Sequence, residues 1–142
     1  MIILALREPL ASKLEKNNQG YVVESVGLAS SEFPYTAFYA KKSTINNNKD
    51  LLIRFTRAIK KGLEYTLNNK SENTANIIKP QFSDTKIEDL KIMIDRYKEA
   101  DVWLTTPYIS KEFYNTLVNL LKDNNLIKDN VSYQDLIINL DE

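Results

Sequence analysis

Four residues stand out for the chemistry they can do: Arg7, Glu8, Tyr35 and Thr36. Arg7 carries a planar fork of donors suited to a bidentate grip on a sulfonate or carboxylate, and its ordinary alternative is a surface charge. Tyr35 and Thr36 offer hydroxyls, to a ligand or to local packing and hydrogen bonding. Glu8 stands directly before Pro9, where a carboxylate also favours a helix N-terminus. The chain has neither cysteine nor histidine. That removes thiolate nucleophiles, disulfides, Cys/His zinc sites and every imidazole general base. No metal site or cofactor is expected, and catalysis is not the expected role. Other aromatic residues, Phe38, Tyr39, Trp103, Tyr108 and Phe113, are expected to pack rather than to bind.

The 142 residues suit one domain, with 43% hydrophobic and 27% charged residues, enough for a packed core. Lys+Arg and Asp+Glu both number 19, so the chain lacks the basic excess that a nucleic-acid partner requires. A small anion needs only one or two local cations and remains compatible. No run of about 18–20 apolar residues spans a membrane, and Ile2–Leu6 is too short for a signal-peptide core.

The elements that must hold these residues fall into two unlike parts, divided by the stretch from Phe33 to Ser43. Ile2–Leu6, Tyr21–Val26 and Tyr35–Ala40 read as short buried strands, rich in β-branched, aromatic or small residues. Pro9 opens a first helix that reaches about Lys16. Asn17–Gly20 ends it, with Gly20 free to take positive φ. Gly27 to Phe33 reads as a loop. Ser43 is a candidate cap, and the spacing of Leu52, Phe55, Ile59, Leu63 and Thr66 predicts one long amphipathic helix from Lys49 to about Asn68. Gly62 within it can permit close packing. Ser71 can cap a helix with Ala75, Ile77 and Ile78 inside, which stops before Pro80. Thr85 and Glu88 have capping-box spacing for a helix that buries Ile87, Leu90, Ile94 and Tyr97. Asp101 to Pro107 is a linker holding Trp103. Ser110 caps a helix with Phe113, Leu117, Leu120 and Leu121 inward. Val131–Leu140 forms a short terminal element. The fold class on these grounds is α/β, a few short strands followed mostly by helices.

Three blocks in order carry a further reading: Leu4-Ala5-Leu6-Arg7-Glu8-Pro9 with Ala11-Ser12-Lys13-Leu14, then Gly20-Tyr21-Val22-Val23, then Pro34 to Ser43. Arg96-Tyr97-Lys98 shortly before Trp103 agrees with them. The chain resembles the C-terminal half of substrate-binding proteins of ABC importers, of the nitrate/sulfonate/taurine and thiamine-pyrimidine precursor type. The resemblance implies a fragment of a two-lobed fold of the type II periplasmic-binding-protein kind. Residues 1–33 would then be a remnant of the second lobe. Residues 34–142 would be the crossing strand and the returning helices of the first, within one domain. It implies a solute-binding component of an importer, or a truncated part of one, that closes on a small sulfonate, nitrate or pyrimidine-like ligand and delivers it to a permease.

The family's aromatic-acid-Pro signature falls on Arg7, Glu8 and Pro9, so Glu8 inherits the position of a cleft carboxylate that accepts from an amine or ring nitrogen. Arg7 replaces the aromatic residue. Tyr35 and Thr36 follow the crossing. The fold-related thiamine-pyrimidine synthases require a reactive histidine, which this chain lacks. The family implies an extracytoplasmic, membrane-associated location, whereas a chain complete as written would be cytoplasmic. Either a missing N-terminal lobe or a homodimer is expected to cover the unpaired strands. The alternative class is a standalone oligomeric helical interaction domain, or a decayed gene product, without solute binding.

Overall fold

A computed structural model describes residues 3–29, 34, 36–100, 102–129 and 131–140. In chain order it contains α1 (Leu10–Lys16), α2 (Val26–Ala29), α3 (Lys42–Asn47), α4 (Lys49–Asn68), α5 (Ser71–Ile78), a 3-10 turn at Lys79–Gln81, α6 (Ile87–Glu99), α7 (Lys111–Asp123) and α8 (Tyr133–Leu136). The chain divides into two compact units, Met1–Ser30 with Leu63–Thr105, and Ser31–Gly62 with Thr106–Glu142.

The first unit is organised on α5 and α6. Ala75, Leu90 and Ile94 are buried, and Ile78, Ile87, Met93 and Trp103 pack around them. Ile87, Leu90 and Ile94 recur at helical spacing, so one stripe of α6 faces α5, as the sequence pattern anticipates. Burying a side chain such as Leu90 or Ile94 contributes roughly 1.5–3 kcal/mol each. Trp103 packs against this cluster and meets the Tyr97 ring edge-on, with centroids 5.4 Å apart. The linker tryptophan is thus a packing residue that closes the end of α6. The hydroxyl of Thr74 is buried beside this core without a hydrogen-bond partner.

The second unit is held by tyrosines. Tyr114 on α7 is buried and lies edge-to-face with Tyr133 on α8, centroids 5.6 Å apart. Tyr114 donates to the Val131 carbonyl at 2.5 Å, and Tyr133 donates to the Ile109 carbonyl at 2.5 Å. The two hydroxyls thereby satisfy loop carbonyls on either side of α7, as tyrosine oxygens held away from solvent require. Phe38 meets Phe55 edge-on at 4.9 Å.

Several local expectations are corrected. The described parts of Ile2–Leu6 and Tyr35–Ala40 run without regular structure, as does Tyr21–Val26 up to Ser25, with Val26 opening α2, and no strand occurs among the described residues. A strand exists only with a hydrogen-bonded neighbour, and these segments have none within the described chain. The helical half of the α/β reading stands. The strand half finds no counterpart among the described residues. Phe38 and Tyr39 are not core: both are exposed, Tyr39 almost completely at 98%. Val26–Ala29 is a helical turn where a loop was expected.

Helix ends differ too. Ser110 caps α7, accepting from the Phe113 N–H at 3.1 Å. Ser71 instead is the first residue of α5, behind a Lys70 cap that has no side-chain bond. Lys86 rather than Thr85 precedes α6, so no capping box closes there. Lys41 precedes α3, which places Ser43 inside the helix. After α1 it is Asn18, not Gly20, that takes the left-handed conformation, at φ 53°. Asparagine tolerates that region better than other side-chain-bearing residues. Gly62 has open space where a Cβ would lie, so it serves no close approach. The long stripe of α4 is only half-buried, with Phe55 exposed.

Candidate functional site

The segment carrying Arg7 and Glu8 is fixed by a network that joins α1 to α6. The carboxylate of Glu8 accepts from the Ser12 N–H at 3.1 Å, from the Ser12 hydroxyl at 2.9 Å and from Arg96 Nη1 at 3.2 Å. Arg96 Nη1 also donates to the Ser12 hydroxyl at 2.8 Å, and Arg96 Nη2 pairs with Glu15. One turn further along α1, Lys16 forms an exposed pair with Asp89 at 2.7 Å. Glu8, Ser12 and Glu15 recur at intervals of four and three residues, which puts them on one side of α1. Their partners Asp89 and Arg96 lie seven residues apart on α6. The two helices are therefore laced together in antiparallel sense.

Burial decides the weight of these contacts. The Glu8 side chain is only 9% exposed, whereas Lys16 is mostly in solvent. An exposed lysine pair contributes little, while a buried carboxylate must be hydrogen-bonded to remain charged. Three donors meet Glu8. A carboxylate has about four acceptor positions, so one on Oε2 stays open.

Glu15 links the network to the next segment. Its Oε1 accepts from the Val22 N–H at 3.1 Å. That backbone donor first, and the Arg96 guanidinium second, hold the Glu15 carboxyl below its ordinary value of 4.5. A lowered folded value means the unfolded chain binds the proton more readily. The stabilisation is complete above about pH 4.5 and is lost as the pH falls through the folded value. Glu15→Gln is accordingly expected to be less stable than the parent chain at pH 7 and to have a flatter decline as the pH falls below the ordinary carboxyl value of 4.5. Thermal unfolding followed at each pH checks this. Equal slopes for the two proteins would refute the assignment.

The four sequence candidates are not equally placed. Arg7 is exposed, and its guanidinium has no hydrogen bond or ion pair among the described residues, while its carbonyl accepts from Leu10 and Ala11 at 3.0 and 3.3 Å. Glu8 is adjacent and tied inward. Thr36 is exposed and belongs to the other compact unit. Tyr35 lies outside the described residues. Sequence reasoning missed Arg96 as the organiser of the Glu8 carboxylate. The signal available was the spacing of Glu8, Ser12 and Glu15, a polar stripe at helical intervals that calls for a partner from another element. No cluster of three or more metal-ligating side chains occurs among the described residues, and none of their helices is long and apolar enough to cross a membrane.

Comparison with known proteins bears on this same region. The family model described as NMT1/THI5 like matches residues 7–73, beginning at Arg7. A Bacillus subtilis (strain 168) protein named "Putative binding protein YtlA" is 31% identical over 132 residues, which is 93% of this chain. The chain spans about 40% of that relative's length. No solved structure matches the chain. The resemblance read from the sequence blocks is thus shown: the chain is similar to NMT1/THI5-like binding proteins over the part that carries Arg7, Glu8 and the segments that follow.

Proposed function

We propose, from this similarity to NMT1/THI5-like binding proteins, that the chain is part of a solute-binding component of an ABC importer. Its ligand would be a small sulfonate, a nitrate-like anion or a pyrimidine. The observation that carries the reading is the pairing of an unpartnered guanidinium, Arg7, with a buried carboxylate, Glu8, whose orientation is fixed by Ser12 and Arg96. A preorganised carboxylate with one open acceptor position suits an amine or ring N–H. A free guanidinium beside it suits an oxyanion. Thr36 and Tyr35 are proposed to add hydroxyl contacts. The binding step is capture by closure, without covalent chemistry, and the role is binding rather than catalysis.

The ligand class, the importer permease, membrane association at an extracytoplasmic face and the covering N-terminal lobe belong to this proposal. So does the homodimer as its substitute. Thermal unfolding in the presence of taurine, nitrate and a hydroxymethylpyrimidine tests it. Under this reading, one class raises the Tm, and Arg7→Ala or Glu8→Gln removes the rise. The comparison runs on this chain and on a version extended to the full length of the Bacillus relative. If neither responds to any member of the panel, the reading fails. An extended protein that responds while this chain does not places the binding energy in the added part.

A further inference from the structure

We propose that the Glu15 carboxylate guards residues 20–25: it is a built-in contact that keeps a second copy of this chain from pairing with the Val22 backbone. This goes beyond solute capture at Arg7 and Glu8 and does not depend on it. By residue type the segment is a strand, yet it makes no ladder among the described residues. Of the backbone N–H groups of residues 20–25, only that of Val22 has an acceptor among the described residues, and the acceptor is Glu15 Oε1 at 3.1 Å. A carboxylate thus occupies the place that a neighbouring strand's carbonyl would take.

The guard is braced rather than loose. Oε2 of Glu15 pairs with Arg96 Nη2, so both carboxylate oxygens are committed, and Arg96 is held in turn by Glu8 and Ser12. The geometry is set before any copy arrives, and bonds to a charged acceptor are stronger than neutral ones, so Glu15 holds Val22 against an incoming carbonyl. A second copy is the occupant that the segment itself fits. Antiparallel pairing centred on Val22 sets each Tyr21 opposite a Val23, an aromatic–β-branched pair, and each Gly20 opposite a Glu24, so the two Glu24 charges do not meet. The central pair would exchange both Val22 N–H···O=C bonds, and Glu15 blocks that exchange. The Tyr21 and Val23 N–H groups belong to the opposite edge of such a strand, so the guard closes one edge and leaves the other. One open edge limits association to pairs, whereas two would let it grow.

The test is sedimentation equilibrium of the full chain beside its Glu15→Ala variant, in which Arg96 keeps its bonds to Glu8 and Ser12. The parent is expected to stop at two copies. Glu15→Ala is expected to grow past two, with association about tenfold tighter, since a pair gains two net hydrogen bonds. Leu90→Ala weakens the α5–α6 core without touching Glu15 and is expected to match the parent. Val22→Pro added to Glu15→Ala removes the N–H itself and is expected to cancel the growth. Amide exchange in dilute solution checks the guard with no substitution: the Val22 N–H is expected to exchange more slowly than those of Tyr21 and Val23. Exchange at Val22 as fast as at its neighbours, or an unchanged mass for Glu15→Ala, would overturn the proposal. Equal growth in Leu90→Ala would overturn it too, by tying association to lost stability. So would growth that survives Val22→Pro, because the pairing would then not use Val22.

Discussion

At tens of micromolar this chain is expected to scatter light as more than a single copy, and replacing Tyr21 and Val23 with lysine is expected to return it to the single-chain value. Tyr21 and Val23 are 85% and 82% exposed, in a segment without regular structure that makes no ladder among the described residues. They flank Val22, whose N–H is already taken by Glu15. An apolar extended segment with unpaired backbone groups is a template for another segment. Full burial of a tyrosine or valine side chain contributes roughly 1.5–3 kcal/mol. Two copies sharing four such side chains offset an association cost of several kcal/mol or more by only a small margin. The expected complex is therefore weak, with dissociation in the micromolar range, and sensitive to two charges placed at its centre. A chain that stays single at about 100 µM would show that these residues are tolerated in solvent. A variant that associates as strongly as the parent would move the contact elsewhere, with exposed Phe38 and Tyr39 the next candidates.

The same segments mark where the sequence stops being informative. Helices α5, α6 and α7 were legible because a helix writes its own period: the stripe Ile87, Leu90, Ile94 needs no knowledge of its neighbour to be recognised. Tyr21–Val26 reads as a strand just as clearly by residue type, but strand hydrogen bonds lie between segments, and type cannot supply the partner. Caps were legible only where geometry left one choice. Ser110 sits directly before its helix, whereas Ser71 and Thr85 lie one residue, and Ser43 two residues, off the position a cap must occupy. Asn18 displaced Gly20 because the chain reversed sooner than the glycine. The site was half legible. Glu8 was singled out by position in a family signature, but the ion that orients it is 88 residues away along the chain. Nothing in Arg96 itself distinguishes it from the cations around it.

Arg96 is the side chain through which the start of the chain is tied to α6. Arg96→Met keeps the aliphatic stem and removes three charge-assisted bonds, to Glu8, Ser12 and Glu15. Glu8 then remains nearly buried with only the Ser12 donors. A buried charge that has lost its partner loses about 1–3 kcal/mol per missing charged hydrogen bond. Partial exposure of Arg96 favours the lower part of that range, so a loss of about 2 kcal/mol is expected. For a chain of this size that lowers the Tm by roughly 4–8 °C, measurable by circular dichroism.

The second replacement separates two roles for Glu8. If Glu8 serves only to anchor α1 on α6, Glu8→Gln added to Arg96→Met restores part of the loss, because the orphaned charge is gone. Solute binding, measured on the version extended to the length of the Bacillus relative, then follows stability alone. If Glu8 also holds a ligand, the double variant regains stability but not binding. A cycle in which the two single losses simply add would mean that the Arg96–Glu8 contact is not coupled energetically, and the network would lose its claim to orient the candidate site.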